Sequence, residues 1–310
     1  MLDHSSVSVF TDRDTATDKV VQQFEIHLES SSDLFEYRLE IEHDLASKLS
    51  RVSLEHLKMN GKPLIEAKKG EARLYRDDHT QGPNVLVDWT LSTVGFMNER
   101  PDNKNLIRFR QELSRIIILR PNPFDIEKFS SAPSKTLDWQ GKNFVSWFQW
   151  ISQEYIQKTP EIFSELKNIF NGFSHLRILG SGEEVQTLKL VFKDPKKELG
   201  FEVLSEGQRI LCILYTLLFC PDDNISIFID EPDNFIALRE IQPWIQAIDD
   251  QLGDRLKQIA IISHHPEFLD GTHSSNTIYF YLDGTHSRTK EFKPHPPLSP
   301  SETLARGWES

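Results

Sequence analysis

The segment Ile225–Asp233, which reads ISIFIDEPD, decides the expected fold. Residues 225–229 form an almost continuous apolar run, typical of a strand in a parallel sheet that helices cover on both faces. The run ends in two carboxylates, Asp230 and Glu231. Because ligands collect at the carboxyl ends of the strands in such sheets, we expect an α/β fold in which these two acids lie at a ligand-binding edge.

A second apolar strand, Ile259–Ile262, ends in Ser263 and His264. If it runs parallel to the first strand, His264 emerges at the same edge as Asp230 and Glu231. This set suits phosphoryl transfer, which needs one acid to hold Mg²⁺, a second carboxylate to orient and deprotonate water, and a polar group near the γ-phosphate. Each of these residues also has an explanation that needs no ligand. Acids at the end of a strand are often simply exposed to solvent, and a histidine after a strand is usually a polar loop residue.

The segment 203–212, VLSEGQRILC, opens an apolar helix and has two interpretations. Ser205 and Gln208 have the spacing of a capping box, which needs no ligand. Alternatively, the unpaired N–H groups at the helix N-terminus suit an anion, and Gly207 lets the backbone approach a phosphate closely.

The three segments together resemble motifs of ABC-type ATPases. LSEGQ (204–208) resembles their signature motif, IFIDEP (227–232) their Walker B strand, and IISHH (261–265) their switch-histidine loop. The match is most similar to the soluble RecF, SMC and OLD-like branch, and to a bacterial AAA-annotated ATPase family of that type. The stretches that carry this second resemblance are 230–245, 262–270 and 301–309.

The resemblance implies a P-loop-type, mostly parallel sheet flanked by helices, with ATP and Mg²⁺ as ligands. It implies that Asp230 binds Mg²⁺ through water, that Glu231 is the general base, and that His264 senses or stabilises the γ-phosphate. In this family the signature acts in trans, so the partner is a second ATPase subunit in a homo- or heterodimer. The residues implied to contact the γ-phosphate held by that subunit are Ser205, Gly207 and Gln208.

The phosphate-binding loop of such ATPases, G-x-x-x-x-G-K-[ST], is not found in the sequence. Gly61-Lys62 is followed by proline, Gly141-Lys142 is followed by asparagine, and GSGEE (180–184) has no lysine. We expect the chain to lack the first segment of the ATPase, as a truncated gene model, a split protein or a degenerate subunit. Because that loop supplies most of the grip on the phosphates, negligible ATP affinity is expected for the chain alone.

The chain is expected to have three parts. Residues 1–102, with alternating strands and an Asn60-Gly61 hairpin turn, form an antiparallel β-meander within the ATPase core, and residues 76–102 are expected to be irregular. Residues 103–200 form a helical lobe with strands, and 201–310 carry the signature, Walker B and switch histidine. Three aromatic residues at helical spacing in the lobe indicate core more than a base-stacking platform; they are Trp147, Phe148 and Trp150.

Composition limits the classes of partner. The net charge of −12 argues against a broad grip on nucleic acid, although a local basic groove stays open as an alternative. The two cysteines, Cys212 and Cys220, are interpreted as buried thiols in a reducing compartment. The apolar run 210–220 is too short for a membrane span, and no signal peptide is evident. A cytoplasmic location without membrane contact is therefore expected.

Two functions remain as hypotheses. The first is ATP binding and hydrolysis, in which nucleotide-gated dimerisation drives a partner such as an effector nuclease in phage defence or a DNA transaction. The second is a non-catalytic scaffold or regulatory subunit that keeps the ATPase fold. Sequence-specific DNA binding has little support, because neither a helix-turn-helix nor a basic stripe is evident.

Overall fold

The chain divides into two units, Met1–Ser114 and Arg115–Ser310, each with its own buried core. The computed structural model describes residues 19–180, 185–193, 196–219, 224–271, 277–284, 286–293 and 295–307.

The first unit contains a six-stranded antiparallel sheet in which each strand pairs with the next along the chain. Its strands are β1 (Lys19–Ser30), β2 (Asp33–Asp44), β3 (Leu49–Met59), β4 (Lys62–Lys68), β5 (Glu71–Tyr75) and β6 (Gln81–Leu86). In β2, Phe35 and Tyr37 are buried while Arg38 is exposed, as expected of a sheet with one solvated face. The predicted antiparallel meander is confirmed.

The turn between β3 and β4 is the one that the sequence predicts. Asn60 and Gly61 have φ values of 52° and 75°, so both residues adopt the left-handed conformation of a tight hairpin turn. The Asn60 side chain accepts a hydrogen bond from the Leu34 amide at 2.9 Å, which ties this turn to the neighbouring β1–β2 hairpin.

Residues 76–102 contain more regular structure than expected. They include the edge strand β6 and a short helix, α1 (Thr93–Phe96). The strand reads QGPNVL. Propensity does not predict it, because glycine, proline and asparagine are depleted in strands. Proline is tolerated there because β6 is the last strand of the sheet.

Helix α2 (Lys104–Ser114) supplies the remaining core of the first unit. Phe109 is fully buried, and its ring centroid lies 5.4 Å from that of Phe35 and 5.3 Å from that of Tyr37. These ring contacts hold the amphipathic helix on the apolar face of the sheet.

The second unit contains a three-stranded parallel sheet that positions the candidate site. Its strands are β7 (Ile116–Leu119), β12 (Ile225–Asp230) and β13 (Leu256–Ile262), in the order β13-β12-β7. The two apolar strands that the sequence predicts, β12 and β13, are therefore present. They pair in parallel, with Asp230 opposite Ile262.

The other elements of the second unit are helical or antiparallel. The strands are β8 (Phe129–Ser130), β9 (Phe173–Gly180), β10 (Gln186–Lys193), β11 (Lys196–Gly200), β14 (Ile278–Asp283) and β15 (His286–Glu291). The helices are α3 (Phe144–Glu154), α4 (Thr159–Ile169), α5 (Glu206–Leu218), α6 (Leu238–Gln251) and α7 (Pro300–Ala305). Short 3₁₀ helices cover Phe201–Val203 and Pro266–Gly271.

The expected mostly parallel sheet requires a correction. The protein is a mixed α/β structure, but parallel pairing in the described residues is limited to three strands, and the largest sheet is antiparallel. The reason is connectivity: most strands are joined by short turns, which allow only antiparallel neighbours, while long helical connections separate β7, β12 and β13.

Among the described residues, core elements cover one face of the parallel sheet, which differs from the expected cover on both faces. Ile227 and Ile229 point into the core formed with α5 and α6. On the opposite face, the exposed fractions are 65% for Ile118, 37% for Phe228 and 57% for Ile262. Ile118 and Phe228 are paired neighbours in the sheet, so these side chains form part of an open apolar surface.

The predicted aromatic core of the helical part is confirmed for two of its three residues. Trp147 and Phe148 are buried in the main core, and Trp150 is partly buried with its ring against Tyr155. Burial leaves the faces of Trp147 and Phe148 unavailable for stacking on a base.

Cys212 is buried as predicted, and burial raises the pKa of its thiol. Cys220 lies outside the described residues. Among the described helices, none combines the length and the apolar character needed to cross a membrane.

Candidate functional site

The predicted acids and histidine meet at the carboxyl edge of the parallel sheet. Asp230 is the last residue of β12, and the Glu231 amide donates a hydrogen bond of 2.8 Å to the Ile262 carbonyl at the end of β13. His264 follows two residues later, with its Nε2 3.1 Å from Glu231 Oε1. The structure therefore brings together Asp230, Glu231 and His264, as expected from two parallel strands that end side by side.

Glu231 has an unusual backbone conformation. Its φ is 51°, in the left-handed region that residues other than glycine rarely adopt. This conformation breaks the strand, and the carboxylate meets several donors: besides His264, the side-chain Nδ2 of Asn234 donates to Oε2 at 3.1 Å. Strained residues of this kind cluster at functional sites, where surrounding contacts hold them in place.

Arg120 is a member of the site that the sequence analysis missed. Its Nε lies 3.5 Å from Asp230 Oδ2, and its Nη2 lies 3.2 Å from Glu231 Oε2. It directly follows β7, which pairs in parallel with β12. The rule that located His264 also applies here, because an apolar run, IIIL (116–119), ends in this polar residue.

Asp233 and Ser263 join the two loops that carry the site. The Ser263 hydroxyl donates to Asp233 Oδ2 at 2.8 Å and accepts from the His265 amide at 3.1 Å. Asp233 is only 4% exposed, and its second carboxylate oxygen has no hydrogen-bond partner among the described residues. His265 Nε2 lies 3.9 Å from Asp233 Oδ2, so His264 is the imidazole that is directed at Glu231. The sequence offers only one signal for Asp233, its place in the DEPD segment.

Ser205 and Gln208 form the capping box that the sequence predicts. The Gln208 amide donates to Ser205 Oγ at 3.3 Å, and the Ser205 amide donates to Gln208 Oε1 at 3.1 Å. The N-terminus of α5 is therefore stabilised without a ligand. Contact of this turn with a phosphate in trans stays a prediction.

Gly207 has a packing reason for being glycine. A Cβ at this position would lie 2.6 Å from the backbone oxygen of Phe235, closer than such atoms approach. The first turn of α5 thus packs on the backbone just after the DEPD segment. Close approach to a phosphate is a separate explanation, which stays a prediction.

The acidic edge suits a magnesium ion that is held mainly by its substrate. Within the described ranges, no group of three or more His, Cys, Asp or Glu side chains is arranged to hold a metal ion. Mg²⁺ commonly takes one or two carboxylates and completes its shell with water and substrate phosphates. The oxygen donors Asp230 and Glu231 fit that mode.

The two lysines that follow glycines have other positions. Lys62 begins β4 beside the hairpin turn, and Lys142 Nζ forms an ion pair with Glu127 Oε1 at 3.6 Å. Most of the third candidate, residues 181–184 of GSGEE, lies outside the described residues.

Comparison with known proteins finds structural neighbours alone. No family model matches the sequence, and no curated protein matches it. A structure from work on the structural biochemistry of ATP-driven dimerization and DNA stimulated activation of SMC ATPases is 10% identical, with a TM-score of 0.38, over 52% of this chain and 98% of that chain. The SMC head domain from Thermotoga maritima is 10% identical, with a TM-score of 0.37, over 84% of this chain and 73% of that chain. At these scores the likeness carries no argument about activity.

Proposed function

We propose that the chain is a subunit of an ABC-type ATPase that binds and hydrolyses ATP together with a second ATPase subunit. The observation that carries this proposal is the meeting of Asp230, Glu231 and His264 at one edge of the parallel sheet, with His264 Nε2 3.1 Å from Glu231 Oε1. Two carboxylates and an imidazole at the ends of parallel strands suit phosphoryl transfer to water.

Each residue has a distinct proposed role. Mg²⁺, when bound through Asp230, neutralises charge on the phosphates. Glu231 accepts a proton from the attacking water as the new oxygen–phosphorus bond forms, and the bond from the γ-phosphorus to ADP breaks. His264, whose Nε2 lies 3.1 Å from Glu231 Oε1, has 81% of its side chain exposed, and it hydrogen-bonds the γ-phosphate oxygens. Ser205, Gly207 and Gln208 contact the γ-phosphate that the second subunit holds.

The phosphate-binding loop must come from polypeptide other than the described residues. The described parallel sheet ends at β13, and its face next to Asp230 is apolar and exposed at Phe228 and Ile262. A partner that covers this face can bring phosphate-binding groups to the edge where the acids lie. Nucleotide-gated association would then drive an effector, for which phage defence and DNA transactions are the contexts that the resemblance implies.

Glu231→Gln tests this function in the complex purified with its native partners. Loss of a general base lowers turnover by about 10²–10⁴-fold. We expect ATP hydrolysis to fall by that factor while ATP-dependent association of the subunits persists. Glu198→Gln is the matched control, because Glu198 forms only exposed ion pairs with Arg177 and Lys189. Equal hydrolysis by the wild type and Glu231→Gln would contradict the proposal.

A non-catalytic scaffold is the second candidate, and the local packing of the signature segment favours it. The capping box and the close packing of Gly207 on Phe235 explain this segment without any nucleotide. For a scaffold, Glu231→Gln changes neither hydrolysis nor assembly. Both candidates predict that the chain alone does not bind ATP–Mg²⁺ at micromolar concentration, which equilibrium dialysis measures.

A further inference from the structure

We propose that Arg120 is a built-in counter-cation that bridges Asp230 and Glu231 and must leave before a divalent metal binds there. The inference rests on the proposed function, because it takes Asp230 as the metal ligand and Glu231 as the general base beside it. It assigns to Arg120 a positioning role, since the guanidinium acts through the two carboxylates.

The first argument is the placement of the guanidinium. Its Nε lies 3.5 Å from Asp230 Oδ2 and its Nη2 lies 3.2 Å from Glu231 Oε2, so the two acids share one cation. Adjacent carboxylates repel each other, and a shared cation relieves that repulsion. A divalent ion would draw on the same oxygens, so metal and guanidinium compete for them.

The second argument is that the backbone of Arg120 is fixed while its side chain is accessible. The Arg120 amide donates a hydrogen bond of 2.7 Å to the Trp139 carbonyl. Pro121 follows, and its ring restricts the chain at this point. The Arg120 side chain is 57% exposed, so it can move from the carboxylates into solvent without disrupting the core.

The third argument is that Glu231 keeps other partners when the guanidinium leaves. His264 contacts Oε1, and Asn234 donates to Oε2. Glu231 therefore stays oriented, whereas Asp230 is released for the metal. In a complex that holds a nucleotide, the displaced guanidinium faces the phosphates at the same edge.

The test measures Mn²⁺ binding to the full chain. The concentration of free Mn²⁺ is determined from its electron paramagnetic resonance signal. Losing the two exposed ion pairs that Arg120 makes should tighten Mn²⁺ binding roughly two- to thirtyfold in Arg120→Ala. Arg120→Lys keeps the charge and should stay close to the wild type. Adding Asp230→Asn to Arg120→Ala should remove the gain, which places the metal at this pair.

Arg177→Ala is the matched control. Arg177 pairs with Glu198 at 3.3 Å, and its side chain is 53% exposed, close to the value for Arg120. It should leave Mn²⁺ affinity unchanged. Arg120→Gln provides a second neutral variant if the alanine variant does not fold, as judged by circular dichroism.

The proposal is overturned if neutral substitutions of Arg120 leave Mn²⁺ affinity unchanged or weaken it, or if Arg177→Ala tightens it equally. Its failure is distinct from failure of the proposed function. If Mn²⁺ affinity is unchanged in the Arg120 variants but Glu231→Gln loses hydrolysis, only the proposed role of Arg120 is wrong. If Mn²⁺ binding tightens but the native complex does not hydrolyse ATP, only the proposed ATPase function is wrong.

Discussion

The left-handed conformation of Glu231 makes a prediction about stability. An L-residue in this conformation loses about 1–2 kcal/mol relative to the right-handed region, whereas glycine does not. We expect Glu231→Gly to be more stable than Glu231→Ala by about 1 kcal/mol, since both substitutions remove the carboxylate and differ only at Cβ. Urea unfolding measures the difference.

Glu198 gives the control with the opposite sign. It lies in β11, so Glu198→Gly should be less stable than Glu198→Ala, because glycine loses more conformational freedom on folding. If Glu231→Gly is no more stable than Glu231→Ala, then residue 231 does not hold the left-handed conformation in solution.

Gly207 distinguishes packing from ligand binding. An added Cβ would meet the Phe235 backbone oxygen at 2.6 Å, so Gly207→Ala must shift either α5 or the segment after DEPD. Overpacking of this kind typically costs about 1–3 kcal/mol, measured by urea unfolding of the chain without nucleotide. Gly180→Ala is the control, because no atom of the described residues lies within 4 Å of its added Cβ. A neutral Gly207→Ala would leave phosphate contact as the only explanation for this glycine.

The site residues differ in how well the sequence predicts them. Asp230 and His264 follow from one rule, since both stand at the ends of apolar strands that pair in parallel. The same rule applied to β7 would have found Arg120. Asp233 depends on how the chain turns after the left-handed Glu231, and no periodic pattern reports such a turn.

Among the elements, α5 carries a prediction that separates its two proposed roles. Aspartate is as good an N-cap as serine, whereas alanine costs about 1 kcal/mol. Ser205→Asp should therefore match the stability of the wild type, and Ser205→Ala should lose about that amount. If Ser205 contacts a γ-phosphate in trans, the new carboxylate repels it, and ATP-dependent association of the native complex is lost in Ser205→Asp.

A cap without ligand contact gives the contrary outcome. In that case Ser205→Asp associates like the wild type in analytical ultracentrifugation with ATP. Ser299, which caps α7 with the same box, is the control position, because Ser299→Asp places a carboxylate at a different helix N-terminus.

Elements with strong periodicity or clear turn residues are predicted well from the sequence. The hairpin at Asn60-Gly61 and the apolar strands β12 and β13 belong to this class. Edge strand β6 does not, because its place depends on pairing with β5 rather than on its own residues. The small number of parallel strands could not be predicted either, since strand order depends on contacts between distant segments.

At the scale of the whole molecule, the described residues form a parallel sheet that packs on the core with one face and leaves large apolar side chains exposed on the other. Parallel sheets are normally buried on both faces, so the open surface at Ile118, Phe228 and Ile262 is unusual for a chain that acts alone. This surface adjoins Asp230, which lies two residues after Phe228 on the same face of β12. Coverage by a partner would thus also change the surroundings of the acids, which links assembly to the site.

The open surface predicts how adjacent isoleucines respond to substitution. Ile118 is largely exposed, so Ile118→Thr, which keeps the β-branch, should change the free energy of unfolding by less than about 0.5 kcal/mol. The same substitution should lower the fluorescence of the apolar dye ANS, because it removes part of an exposed apolar patch. Ile117 packs against the core on the other face, so Ile117→Thr should cost about 1–3 kcal/mol. Equal destabilisation by the two variants would mean that Ile118 is covered in solution, and that the sheet is closed on both faces without a partner.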